Sequence, residues 1–150
     1  VSPATPGAGP AAAHAAALTA EYAAIWAYGP IGVRLTGPAR QAARDAEAAH
    51  RRRRDDLVLH LSGAGGGDLP ADQAGYTLPF PVTDQSSALR LAVEIEDRTA
   101  GFWRAAVAAT SGAERERALA ALVDCAIRAT RWRRTAGTTP LTVPFPGRDA

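Results

Sequence analysis

The chain has 150 residues, 47% hydrophobic and 21% charged, with a formal net charge of +2. That size suits one domain with a single sizeable core, and Glu21 and the arginines interrupt every apolar run before it reaches the roughly 18 residues of a membrane span. Arg supplies all 17 basic residues and Lys is absent, a bias of GC-rich codon usage that says little about nucleic acid or other partners.

Residues 1–10 are rich in Pro, Gly and Ala without periodicity, and a flexible arm is expected there. A first helix is predicted from about Ala11 to Leu35, because Leu18, Glu21, Ile25, Tyr28, Gly32 and Leu35 recur at three- and four-residue steps. Pro30 is expected to bend it and Thr36-Gly37-Pro38 to end it. The second helix is predicted from Pro38 to Leu61, closing on the Gly-rich stretch Ser62–Gly67.

Residues 62–83 show neither helical nor strand periodicity and hold Pro70, Pro79 and Pro81. Irregular connections beyond about 12–15 residues usually have a task. Extended, this one reaches roughly 70 Å, whereas the second helix is about 36 Å long. It is long enough to cross the bundle and leave the second and third helices parallel, with Tyr76, Leu78, Phe80 and Val82 as apolar anchors.

Thr83-Asp84 reads as the N-cap of a third helix ending near Thr110, with Leu89, Val93, Glu96, Ala100, Trp103 and Val107 on one face. Ser111-Gly112 separates it from a fourth, Ala113–Ala136, with Leu119, Leu122, Ala126 and Ala129 inward. Gly137 stops that helix, and residues 138–150 form an extended tail. The expected fold is all-α: a ferritin-like four-helix bundle over 11–137, with a long crossover between helices two and three.

Three segments are distinctive: Ala20-Glu21-Tyr22-Ala23-Ala24-Ile25-Trp26-Ala27-Tyr28-Gly29, Tyr76-Thr77-Leu78-Pro79-Phe80-Pro81-Val82-Thr83-Asp84, and Leu91-Ala92-Val93-Glu94-Ile95-Glu96-Asp97. With the Phe145-Pro146-Gly147 tail, they resemble an uncharacterised ferritin-like domain family of high-GC Gram-positive bacteria. The resemblance covers nearly the whole chain and implies the fold far more than any activity. The family pattern frequently has His where Tyr22 stands, so one polar partner is lost here.

Ferritin-like di-iron sites draw one carboxylate from each of two helices and a Glu-x-x-His pair from each of the other two. Glu21 and Glu96 lie on core faces, and Glu47-Ala48-Ala49-His50 supplies one such pair. Folding the first hairpin sets residue 21 opposite about residue 52, and folding the second sets 96 opposite about 127. The set is incomplete, because the fourth helix offers Asp124-Cys125-Ala126-Ile127 where the second Glu-x-x-His belongs. The preferred reading is a buried polar cluster of Glu21, Glu47, His50 and Glu96 with Arg54 and Arg128, holding no cofactor. The alternative is iron or manganese held by Glu21, Glu47, His50 and Glu96, reacting with oxygen or peroxide.

No catalytic residue is assigned, since no phosphate loop or nucleophile elbow occurs. The run His50–Arg54 reads as a solvated helix face with i,i+4 pairs to acidic residues, and no nucleic-acid or membrane partner is expected. His14 and His60 read as surface or helix-end residues. Cys125 reads as core packing, and the lone thiol, with no basic-then-apolar leader, points to the cytoplasm. A homodimer is expected through a second apolar face of helix one: Tyr22, Trp26, Gly29 and Val33.

Overall fold

The computed structural model describes residues 9–65 and 67–148. Among them are four helices and no strand: α1 (Pro10–Arg34), α2 (Gly37–Gly63), α3 (Gln85–Ala109) and α4 (Gly112–Ala136). The all-α four-helix fold is the expected one, and each helix ends within a residue or two of its predicted limit. The arm expected over 1–10 lies outside the described residues except for Gly9 and Pro10, and Pro10 already opens α1.

Local chemistry accounts for the ends. The Asp84 side chain accepts from the Ser87 backbone N–H at 2.8 Å, and Ser87 Oγ accepts from the Asp84 N–H at 3.1 Å. This reciprocal box satisfies donors that the first turn of α3 cannot. Gly137, at φ 69°, takes the left-handed conformation that closes α4 onto the carbonyls of Arg133 and Arg134.

Contacts set the arrangement. α3 packs most closely on α4, α1 packs on both α2 and α3, and α2 meets α4 only sparsely. Between α1 and α2, His14 faces His60 and Glu21 faces Arg53. Between α1 and α3, Glu21 meets Trp103 and Tyr28 meets Glu96. Between α2 and α4, Arg53 meets Asp124 and His60 meets Glu114. In each pair the numbers run in opposite senses, so each pair is antiparallel.

The core has two apolar parts. One gathers Ala17, Leu18, Leu57, Phe102, Trp103, Ala121 and Cys125. The other gathers Tyr28, Ile31, Leu35, Leu89, Leu91, Ile95 and Trp132. Residues 64–84 carry no regular secondary structure among those described. Leu69 packs on the first part, and Leu78, Phe80 and Val82 on the second. The Arg90 guanidinium lies 3.8 Å above the Phe80 ring. In the tail, Gly147 (φ 77°) approaches α3 so closely that a Cβ there would stand 2.5 Å from the Ala100 carbonyl oxygen.

The inward face of α4 differs from the expected one by one residue. Ala118, Ala121, Cys125, Arg128, Ala129 and Trp132 are buried, whereas Leu119 is 48% exposed and Val123 and Ile127 also face outward. Small residues win the inner position because they let α4 approach α3 closely, and close packing outweighs the burial of any one larger side chain. No described helix is long and apolar enough to cross a membrane.

Candidate functional site

Between the two apolar parts lies a polar layer. Glu21, His50 and Glu96 come from α1, α2 and α3, and each is fully buried at 0% exposure. Each of these helices adds a second polar side chain two turns or less further along the same face, and each bonds a carboxylate of another helix: Tyr28 of α1 to Glu96, Arg53 of α2 to Glu21 and Trp103 of α3 to Glu21. Spacings of seven and three residues keep both side chains of each pair on the inward face of their helix.

His50 is clamped between the carboxylates. Its Nδ1 stands 2.6 Å from Glu21 Oε2 and its Nε2 3.2 Å from Glu96 Oε1. Glu21 Oε1 accepts from Trp103 Nε1 at 2.6 Å and from Arg53 Nη1 at 3.4 Å. Glu96 Oε1 accepts from the Tyr28 hydroxyl at 2.5 Å, and that hydroxyl accepts from Trp132 Nε1 at 3.0 Å. Arg128 Nε lies 3.6 Å from Glu96 Oε1. Asp124 binds both Arg53 and Arg128.

The network is balanced in charge. Glu21, Glu96 and Asp124 are matched by His50, Arg53 and Arg128. Ionised carboxylates only accept hydrogen bonds, so two of them on one imidazole are both satisfied when both ring nitrogens carry protons. Burial opposes a charged His50, but the charge and hydrogen bond of Glu21, joined by those of Glu96, outweigh it and hold the imidazole pKa above its ordinary value. Burial likewise opposes an ionised Glu96, yet the hydrogen bond and charge of His50, with Arg128 and Tyr28, bring that pKa below the usual range. Burial, then the Glu96 charge, push Tyr28 and Cys125 well up, so both stay protonated.

Four of the six residues expected to cluster do so: Glu21, His50, Glu96 and Arg128. Glu47 and Arg54 do not. Glu47 pairs along the surface with Arg51 at 2.6 Å, and Arg54 with Asp55 at 2.8 Å. The inward stripe of α2 steps through Ala43, Ala46, His50 and Leu57, and Arg53 continues it. Positions 47 and 54 each lie one residue, about 100°, off that stripe. Arg53 thus does what was expected of Arg54. His14 also departs from expectation: it is buried, with its ring edge-on to His60 at 5.0 Å.

Trp26 of the expected dimer face meets Tyr76 of its own chain at 5.9 Å between ring centroids, while Val33 is 71% exposed.

The family model described as "Domain of unknown function (DUF4439)" matches residues 13–150. A conserved hypothetical protein from Mycobacterium tuberculosis, known as a crystal structure, is similar at 39% identity and a TM-score of 0.82. The match covers 91% of this chain and 96% of that one. No curated protein matches.

Proposed function

The chain belongs to the DUF4439 family, a domain of unknown function, and we propose that this member is a ferritin-like bundle without redox metal chemistry. It acts as a structural or interaction module built around a buried carboxylate, imidazolium and guanidinium network. The observation that carries this is His50, whose two nitrogens are both engaged by carboxylates. Support for the ferritin-like connectivity comes from the register: α1 antiparallel to both α2 and α3 makes α2 and α3 run the same way. Segment 64–84 then serves as the crossover, its apolar side chains touching both parts of the core.

The di-metal centre implied by the resemblance fits this donor set poorly. Both His50 nitrogens and both Glu21 oxygens are already bonded, and Glu47 faces outward. Arg53 and Arg128 bring positive charge to the carboxylates where metals would have to sit. Glu96 Oε2 and Arg128 Nη1 are buried without a protein partner. One accepts and the other donates, which suits a neutral polar bridge better than a second cation.

The test is to strip the purified chain with chelator, titrate iron or manganese, and compare wild type with Glu21→Gln and Glu96→Gln. The expected result is the same bound metal in all three. Wild type binding more iron or manganese than either variant would overturn the reading in favour of a metal centre through Glu21 and Glu96.

The partner in this reading is a second copy of the chain. The Tyr76 ring of the same chain lies beside Trp26, so the α1 face rests on the exposed Gly29 and Val33. Light scattering at high micromolar concentration should give a dimer that Val33→Arg dissociates. A monomeric wild type would remove the homodimer.

A further inference from the structure

We propose that His14, His60 and Glu114 form a binding site for one divalent transition-metal ion, with zinc the best match. The three come from α1, α2 and α4, and one ligand atom from each lies within 4.8 Å of the others. Tetrahedral zinc bonded at about 2.0–2.1 Å sets its ligand atoms about 3.3 Å apart. His60 Nε2 and Glu114 Oε1 already stand 3.1 Å apart, so only His14 has to close in. That ring faces His60 at 5.0 Å, and a turn about its side-chain torsions is a small movement.

The surroundings suit a metal with an open position. His14 and His60 line a cavity of about 350 Å³ between α2 and α4, together with Arg53, Asp56, Arg117 and Asp124. Two imidazoles and one carboxylate leave a fourth position open to this cavity, the ligand set of zinc sites that keep one exchangeable partner. Nitrogen donors select against magnesium and calcium. Burial, then the neighbouring His60, hold the His14 pKa down, which keeps its ring in the neutral form a metal needs. Arg53 and Arg117 both oppose a cation here; Asp124 already pairs with Arg53, and Asp56 offsets Arg117.

None of the three ligands belongs to the Glu21–His50–Glu96 network, although Arg53, Trp103 and Asp124 border both, and the test does not depend on that reading. The full chain, stripped with chelator, is titrated with zinc chloride by calorimetry and with cobalt(II) by visible absorption. The expected result is one ion per chain, a cobalt spectrum of tetrahedral intensity, and affinity that falls as pH drops below the ordinary imidazole value of about 6.5. Glu114→Gln and His60→Gln, both partly exposed, should stay folded by circular dichroism and weaken zinc binding by more than about 100-fold, beyond the usual effect of losing an outer-shell partner. Glu47→Gln, on the outer face of α2 where it pairs with Arg51, should leave zinc binding intact. Absence of zinc binding by the wild type, or binding kept at full affinity by folded His60→Gln and Glu114→Gln, would overturn the site.

Discussion

Replacing Glu96 by Gln is expected to lower stability by about 3–5 kcal/mol, the usual cost of breaking a buried ion pair from one side. In a chain of this size that is a fall in Tm on the order of 10 °C. Three groups aim donors at this carboxylate: the Tyr28 hydroxyl, the His50 ring and the Arg128 guanidinium. An amide of the same shape removes the negative charge and turns an NH2 toward one of them. His50 is then left with Glu21 as its remaining carboxylate neighbour.

The pH profile separates this cause from lost packing. In the wild type the raised His50 pKa adds stability that is fully present below the ordinary imidazole value of 6.5 and is lost as pH rises through the folded value. The lowered Glu96 pKa adds stability present above the ordinary carboxylate value of 4.5 and lost as pH falls through the folded one. The gap in Tm between wild type and Glu96→Gln should therefore be widest between about pH 4.5 and 6.5 and shrink on both sides. A gap that does not change with pH would mean that the charges contribute nothing.

Trp103 should show the second large effect. It is buried on α3 and its indole N–H donates to Glu21 Oε1 at 2.6 Å. Trp103→Ala is expected to cost about 3–5 kcal/mol through the cavity it leaves. Trp103→Phe keeps most of the ring but leaves that carboxylate oxygen with only Arg53 at 3.4 Å, and should cost about 1–3 kcal/mol. Equal losses in the two variants by chemical denaturation would show that the hydrogen bond, and not the ring's volume, carries the effect. A harmless Phe would show the reverse.

Much of this was legible in the sequence. Glu21, His50 and Glu96 could be grouped because hairpin register and core periodicity agreed, and the predicted partners of Glu21 and Glu96, near residues 52 and 127, lie beside the observed Arg53 and Arg128. The errors have a shared origin in weighing side chains by size and type. On α4 Leu119 and Leu122 drew the expected inward face toward themselves, with Ala126 after them, whereas Ala118, Ala121 and Cys125 hold those places and Ala129 alone is buried as expected. On α2 a run of four arginines gave no sign of which one turns inward; the Ala43, Ala46, His50, Leu57 stripe points to Arg53 only once the helix is known to be buried along it. Pairings such as His14 with His60 depend on how far α1 and α2 overlap at their distant ends, which local periodicity does not report.

The polar layer between the two apolar parts also bears on axial alignment. Much of the helix interface is alanine: Ala13, Ala17, Ala24, Ala27, Ala43, Ala46, Ala92, Ala106, Ala118, Ala121 and Ala129 are all buried. Such smooth surfaces interlock weakly, and sliding one helix past another by a turn, about 5.4 Å, would exchange alanine contacts for other alanine contacts. The same slide would pull His50 off both carboxylates and leave buried charges unmatched. A few ionic contacts at mid-height thus act as a vernier, selecting one alignment among several that the apolar surfaces alone would nearly tolerate.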